Sequence, residues 1–169
     1  VLSGLSGYAT HNRAGEIIYK RIAPFSKVVG GQTVPVYHYS ITVIKYTKDD
    51  PESADRCVDT VYFGDGERGI APRINGGQAL SCNCGVQNNV SVGCGEIILN
   101  DPDHMVKKNI YTTTHFYPGP GNYLVRSTDP NRNKDIININ NGQNNNSVTV
   151  PFYIESLLVF NATVGPNSS

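Results

Sequence analysis

Residues 58–63 read as a strand that runs directly into Gly64-Asp65-Gly66. Two glycines that tolerate positive φ flank an aspartate whose side chain can bond back to its own turn, so the chain must reverse there. Farther on, Thr114-His115-Phe116-Tyr117 ends another strand, Pro118-Gly119-Pro120-Gly121 interrupts it, and a new strand begins at Tyr123 and continues to Ser127. Strand, forced reversal and strand again is the grammar of antiparallel sheets, and it predicts an all-β fold.

The remaining segments fit that grammar. Residues 34–48 alternate through Val36, Tyr37, Tyr39, Ile41, Val43 and Ile44 before polar Lys45 and Lys48, as in a long strand with one buried face. Strands are also expected at 96–100, 109–117, 135–139 and 148–160, with Pro151 forcing an edge or bulge near the start of the last. Residues 138–147 are Asn-rich and read as a hairpin tip. With 17 Gly and 10 Pro in 169 residues, turns are plentiful and long helices are not expected. The length suits one domain. Lys and Arg number 14 against 14 Asp and Glu. A neutral chain lacks the basic surface that nucleic acid requires, and it carries no net repulsion against self-association. No apolar run reaches the length of a membrane helix.

Phe63-Gly64-Asp65-Gly66 followed by His115-Phe116-Tyr117 and Pro120-Gly121-Asn122-Tyr123 resembles the PKD repeat. Other stretches, including Ala54-Asp55-Arg56-Cys57, Lys107-Lys108-Asn109-Ile110-Tyr111, Asp129-Pro130-Asn131-Arg132-Asn133 and Val150-Pro151-Phe152-Tyr153, extend the likeness over most of residues 10–160. Together they resemble the PKD-like N-terminal module of secreted Bacteroidetes surface proteins, the gliding-motility-associated and PKD-domain adhesins. The resemblance implies an immunoglobulin-like β-sandwich over residues 10–160 and a linker at 161–169. It implies a non-catalytic, secreted role at the cell surface, in an adhesin or filament. The family's two half-motifs stand much closer together than here, so this chain has an insertion, and it holds Cys82, Cys84 and Cys94. The PKD counterpart of His115 implies a core histidine bonded to backbone.

Cys57, Cys82, Cys84 and Cys94 lack the paired C-x₂-C knuckles of structural zinc, although His104 and His115 are near enough to complete a ligand set. Two disulfides suit a loop-rich extracellular chain better, and would staple the insertion; the pairing stays open. Calcium is the cofactor the loops suit, because Asp49, Asp50 and Asp55, then Asp101 and Asp103, then Asp129, Asn131, Asn133 and Asp135 supply clustered oxygen ligands. The competing reading is that these are ordinary turn-forming side chains. No nucleophile elbow or metalloprotease helix is present, so catalysis is not expected.

Residues 1–9 form an apolar arm in which Val1, Leu2, Leu5 and Tyr8 are the large side chains. It reads as the remnant of a secretory signal, as an edge strand of its own domain, or as a strand donated to a neighbouring copy. The alternative to a structural module is a carbohydrate-binding sandwich that presents Tyr111, Tyr117 or Tyr153 as stacking platforms for a surface glycan. The absence of Trp disfavours it.

Overall fold

Side chains that alternate between core and solvent make strands, and among the described residues this chain makes strands and no α-helix. The computed structural model describes residues 12–48, 56–76, 86–87, 90–91, 93–101, 105–130, 132, 136, 139, 147 and 150–161. In chain order the strands are β1 (Asn12–Arg21), β2 (Ser26–Val29), β3 (Gln32–Pro35), β4 (Tyr37–Lys48), β5 (Val58–Tyr62) and β6 (Arg68–Pro72). They continue as β7 (Val86–Gln87), β8 (Val90–Ser91), β9 (Glu96–Leu99), β10 (Val106–Tyr117), β11 (Gly121–Asp129) and β12 (Phe152–Phe160). Among the described residues no helix is long and apolar enough to cross a membrane, which says nothing of a β-barrel.

One sheet has the order β1-β4-β10-β9 and the other β12-β11-β5-β6, with every neighbouring pair antiparallel. The two pack face to face around one core. Tyr39, Ile41 and Val43 of β4 and Tyr111 of β10 meet Val61 of β5, Ala71 of β6, Val125 of β11 and Leu158 of β12. Each fully buried aliphatic side chain of this kind contributes about 1.5–3 kcal/mol. Two small hairpins, β2-β3 and β7-β8, stand apart from the main sheets.

Several strand boundaries differ from the sequence reading. The strand expected over 34–48 is split, because β2 and β3 form a hairpin across Gly30 and Gly31, both at positive φ, and β4 begins only at Tyr37. Pro35 ends β3, having no amide hydrogen with which to continue a ladder. The strand expected at 135–139 is not formed by its described residues: the Ile139 amide instead bonds the Ile136 carbonyl in a turn. The last strand starts at Phe152, directly after Pro151, on a sheet edge.

Lys45 keeps the parity of Tyr39, Ile41 and Val43, so it points into the core although it is charged. Its ammonium meets Asp59 Oδ1 of the opposite sheet at 2.9 Å, with the two side chains 3% and 5% exposed. Asp59 also accepts the Thr60 amide at 2.9 Å and the Ser127 hydroxyl at 2.8 Å. Removing one partner would strand a buried charge, so Asp59→Ala is expected to cost about 3–5 kcal/mol. In a urea-denaturation double-mutant cycle, Lys45→Met combined with Asp59→Asn should cost less than the two single changes added together.

Candidate functional site

The Gly64-Asp65-Gly66 turn joins β5 to β6, and its geometry follows from its residues. Gly64 and Gly66 sit at φ +90° and +98°. A Cβ on Gly64 would come 2.5 Å from the Leu124 amide nitrogen, so β11 crosses where only glycine fits. Asp65 Oδ1 accepts the Glu67 amide at 3.1 Å, and the Phe63 amide bonds the Glu67 carbonyl at 3.0 Å to close the loop.

The turn is then clamped to the other sheet. His115 of β10 donates from Nε2 to Asp65 Oδ2 at 2.6 Å, while its ring stacks on Phe63 with centroids 3.9 Å apart. This corrects the expected backbone partner: the histidine bonds a carboxylate. The Tyr117 hydroxyl donates to the Phe63 carbonyl at 3.2 Å, and the edge of one ring meets the face of the other between His115 and Tyr117. Tyr123, at the start of β11, donates back to the Gly119 carbonyl at 2.8 Å and fixes the corner between β10 and β11.

Electrostatics follow the same contacts. Burial alone would raise the Asp65 carboxyl, but the His115 hydrogen bond, the backbone amides and the imidazole charge outweigh it and hold its pKa below the ordinary 3.8. Burial, then the nearby Asp65 carboxylate, push the Tyr117 phenol well above its usual range. What this arrangement does chemically is lock a β-turn across two sheets.

The calcium candidates are not brought together by the described residues. Asp101 is exposed, and Asp129 is buried with Oδ2 2.7 Å and Oδ1 3.4 Å from the Arg56 guanidinium. A carboxylate whose two oxygens both face a guanidinium is poorly placed to hold a cation. Asp49, Asp50, Asp55, Asp103, Asn131, Asn133 and Asp135 lie outside the described residues, as do the assembly residues Val1, Leu2, Leu5 and Tyr8. Cys57 and Cys94 are disulfide-bonded, which removes both as thiolate ligands for zinc. Cys82, Cys84 and His104 lie outside the described residues. Of the tyrosines considered as glycan platforms, Tyr111 and Tyr117 are core residues, 2% and 4% exposed. Tyr153 is on the surface, with its hydroxyl donating to Glu155.

Sequence reasoning missed a polar cluster near Asn109. Fully buried Arg73 donates to the Gly93 carbonyl at 2.7 Å and to Asn109 Oδ1 at 2.9 Å, and Asn109 donates onward to Thr47. The Asn75 amide imitates a strand, donating to the Lys108 carbonyl and accepting the Ile110 amide, both at 2.8 Å. The signal available was parity alone: Asn109 shares a strand face with Tyr111 and Tyr117.

Because the folded Asp65 pKa lies below its unfolded value, its contribution to stability is complete above the ordinary carboxylate range and is lost as pH falls through the folded pKa. Thermal melts between neutral pH and pH 2 should therefore show a shallower acid decline for Asp65→Asn than for the parent chain, whose stability at neutral pH should be the higher. No protein-family model matches the chain, and no curated protein or solved structure matches it either.

Proposed function

We propose that this chain is an immunoglobulin-like module of the PKD type, serving as a non-catalytic structural unit of an extracellular bacterial adhesin or filament. The observation that carries the reading is the strand order. Lettered along the main strands, β1, β4, β10 and β9 take the positions A, B, E and D, and β12, β11, β5 and β6 take G, F, C and C′. Tyr123 adds a tyrosine corner at the start of strand F, as immunoglobulin-like sandwiches use. The PKD part of the reading rests on the sequence likeness, since His115 bonds Asp65 and not the backbone partner that the likeness implied.

Disulfide-bonded Cys57 and Cys94 favour an oxidising compartment outside the cytoplasm, and they support a stapled insertion between β6 and β10. The buried ionisable side chains at Lys45, Asp59, Asp65 and His115 are engaged with one another, which suits a scaffold better than a catalyst. Assembly proceeds by strand addition, with residues 1–9 as the donor and Ca²⁺ in the carboxylate-rich loops as an auxiliary brace.

Deleting residues 1–9 should leave a folded monomer that no longer assembles, as read by circular dichroism and negative-stain electron microscopy. A deleted chain that still forms the parent polymer removes the arm from the proposal. Filaments that loosen in a calcium chelator support the structural cation, and filaments indifferent to it remove the cation but keep the polymer.

A further inference from the structure

Three of the four outer edges of the two sheets carry features that oppose another strand. Tyr19 of β1 donates its hydroxyl to the Leu157 carbonyl at 3.0 Å, so a side chain already occupies part of the β12 edge. β1 exposes Glu16 and Lys20 along its edge. β6 begins with Arg68 and ends with Pro72, which has no amide hydrogen to offer.

β9 is different. Glu96 is its sole charge, and Ile97, Ile98 and Leu99 are 50%, 50% and 47% exposed. Among the described residues no strand lies on its outer side. Its ladder to β10 slips between Val106 and Lys107, which leaves Ile98 with no opposite residue. Such an edge combines unpaired backbone groups with apolar side chains on both faces, which is what a donated strand recognises.

We propose that β9 is the acceptor edge for residues 1–9 of a second copy of this chain. The inference rests on the assembling-module reading above and names where that assembly occurs. Asn12 stands opposite Thr47, Thr47 opposite Lys107, and Lys107 opposite Ile97, so the point where the arm leaves β1 lies in one row with the proposed acceptor. Three strand spacings separate them, about 14 Å. The eleven residues before Asn12 reach about 36–40 Å when extended, ample for a neighbour stacked at that end. The arm carries no charged side chain to desolvate. As an extended strand, the arm would place Val1 and Leu5 on one face and Leu2 and Tyr8 on the other, offering apolar groups to both faces of the acceptor. β1, from which the arm departs, and the acceptor β9 are opposite edges of one sheet, so the contact is heterologous and repeats into an open chain.

Two variants of the full chain test this. Ile98→Lys puts a charge on the acceptor at an already half-exposed position, and deletion of residues 1–9 removes the donor. By sedimentation velocity the parent chain should form long species and each variant alone only monomer, the two monomeric variants melting at the same temperature as each other and below the assembled parent. An equimolar mixture of the two should give a 1:1 dimer and nothing longer, because one copy can only donate and the other only accept. If Ile98→Lys polymerises as the parent does, or if the mixture stays monomeric, β9 is not the acceptor, although the assembling reading survives in a polymerising parent. A parent that is monomeric at every concentration overturns the assembling reading and this inference together. Should Ile98→Lys melt early, Leu99→Glu on the same edge makes the same measurement.

Discussion

The Lys45–Asp59 ion pair sets the terms for the rest of the structure. It joins the central strand of one sheet to an inner strand of the other, at a depth where neither charge meets water. A slip of one residue in β4 would turn Lys45 outward, exchange Ile41 and Val43 for Ser40 and Thr42 in the core, and leave Asp59 without its counter-ion. An apolar pair tolerates small displacements. A buried ion pair does not, since desolvation has already been incurred and only a close contact offsets it. The hydroxyl of Ser127 and the Thr60 amide occupy further acceptor positions of Asp59, so the carboxylate is held from three sides.

From that pair the sandwich divides in two. Toward Phe160 the sheets meet through aromatic rings: Tyr37 and Tyr39 stack on Phe160 at 5.1 and 5.0 Å, and Tyr117 lies 4.3 Å from Tyr123. Flat side chains that cross from sheet to sheet bury large area and add a directional attraction. Toward Asn109 the contacts become polar, with Arg73, Asn109, Thr47 and the Arg56–Asp129 pair replacing hydrocarbon. A chain with 38% hydrophobic residues fills part of its interior this way, and each buried donor then needs its partner. The Asp65 turn lies on the aromatic side, where the His115 ring is stacked as well as hydrogen-bonded.

The strands were legible because alternation survives in the sequence. Residues 58–63 gave away β5 nearly to the residue and 123–127 the middle of β11, which extends two residues farther at each end, and the two glycines around Asp65 do take the positive φ their chemistry permits. What stayed hidden was long-range. That His115 bonds Asp65 depends on two segments fifty positions apart, and nothing local distinguishes a carboxylate partner from a carbonyl. The burial of Lys45 follows from its parity with Ile41 and Val43, but the Asp59 partner that makes it possible lies on another strand. The β2-β3 hairpin was overlooked for the opposite reason: its side chains are almost all exposed, so there was no hydrophobic alternation to see. Gly30-Gly31 was its only mark.

An interior so fully committed to itself moves the question of function to the perimeter. The Asp65–His115 bond faces Phe63, and the Lys45–Asp59 pair faces Ser127 and Phe152, so changing either charge state disturbs the fold before it reaches any partner. A sheet edge is under no such constraint. Its backbone donors and acceptors can be completed by another strand without displacing a single core contact, and the stability of the donor complex adds to that of the module. That separation of duties also explains why one edge can remain apolar. The Tyr19 hydroxyl occupies part of the β12 edge, exposed charges flank β1 and Pro72 limits β6, so among the described strands β9 is the edge left most apolar.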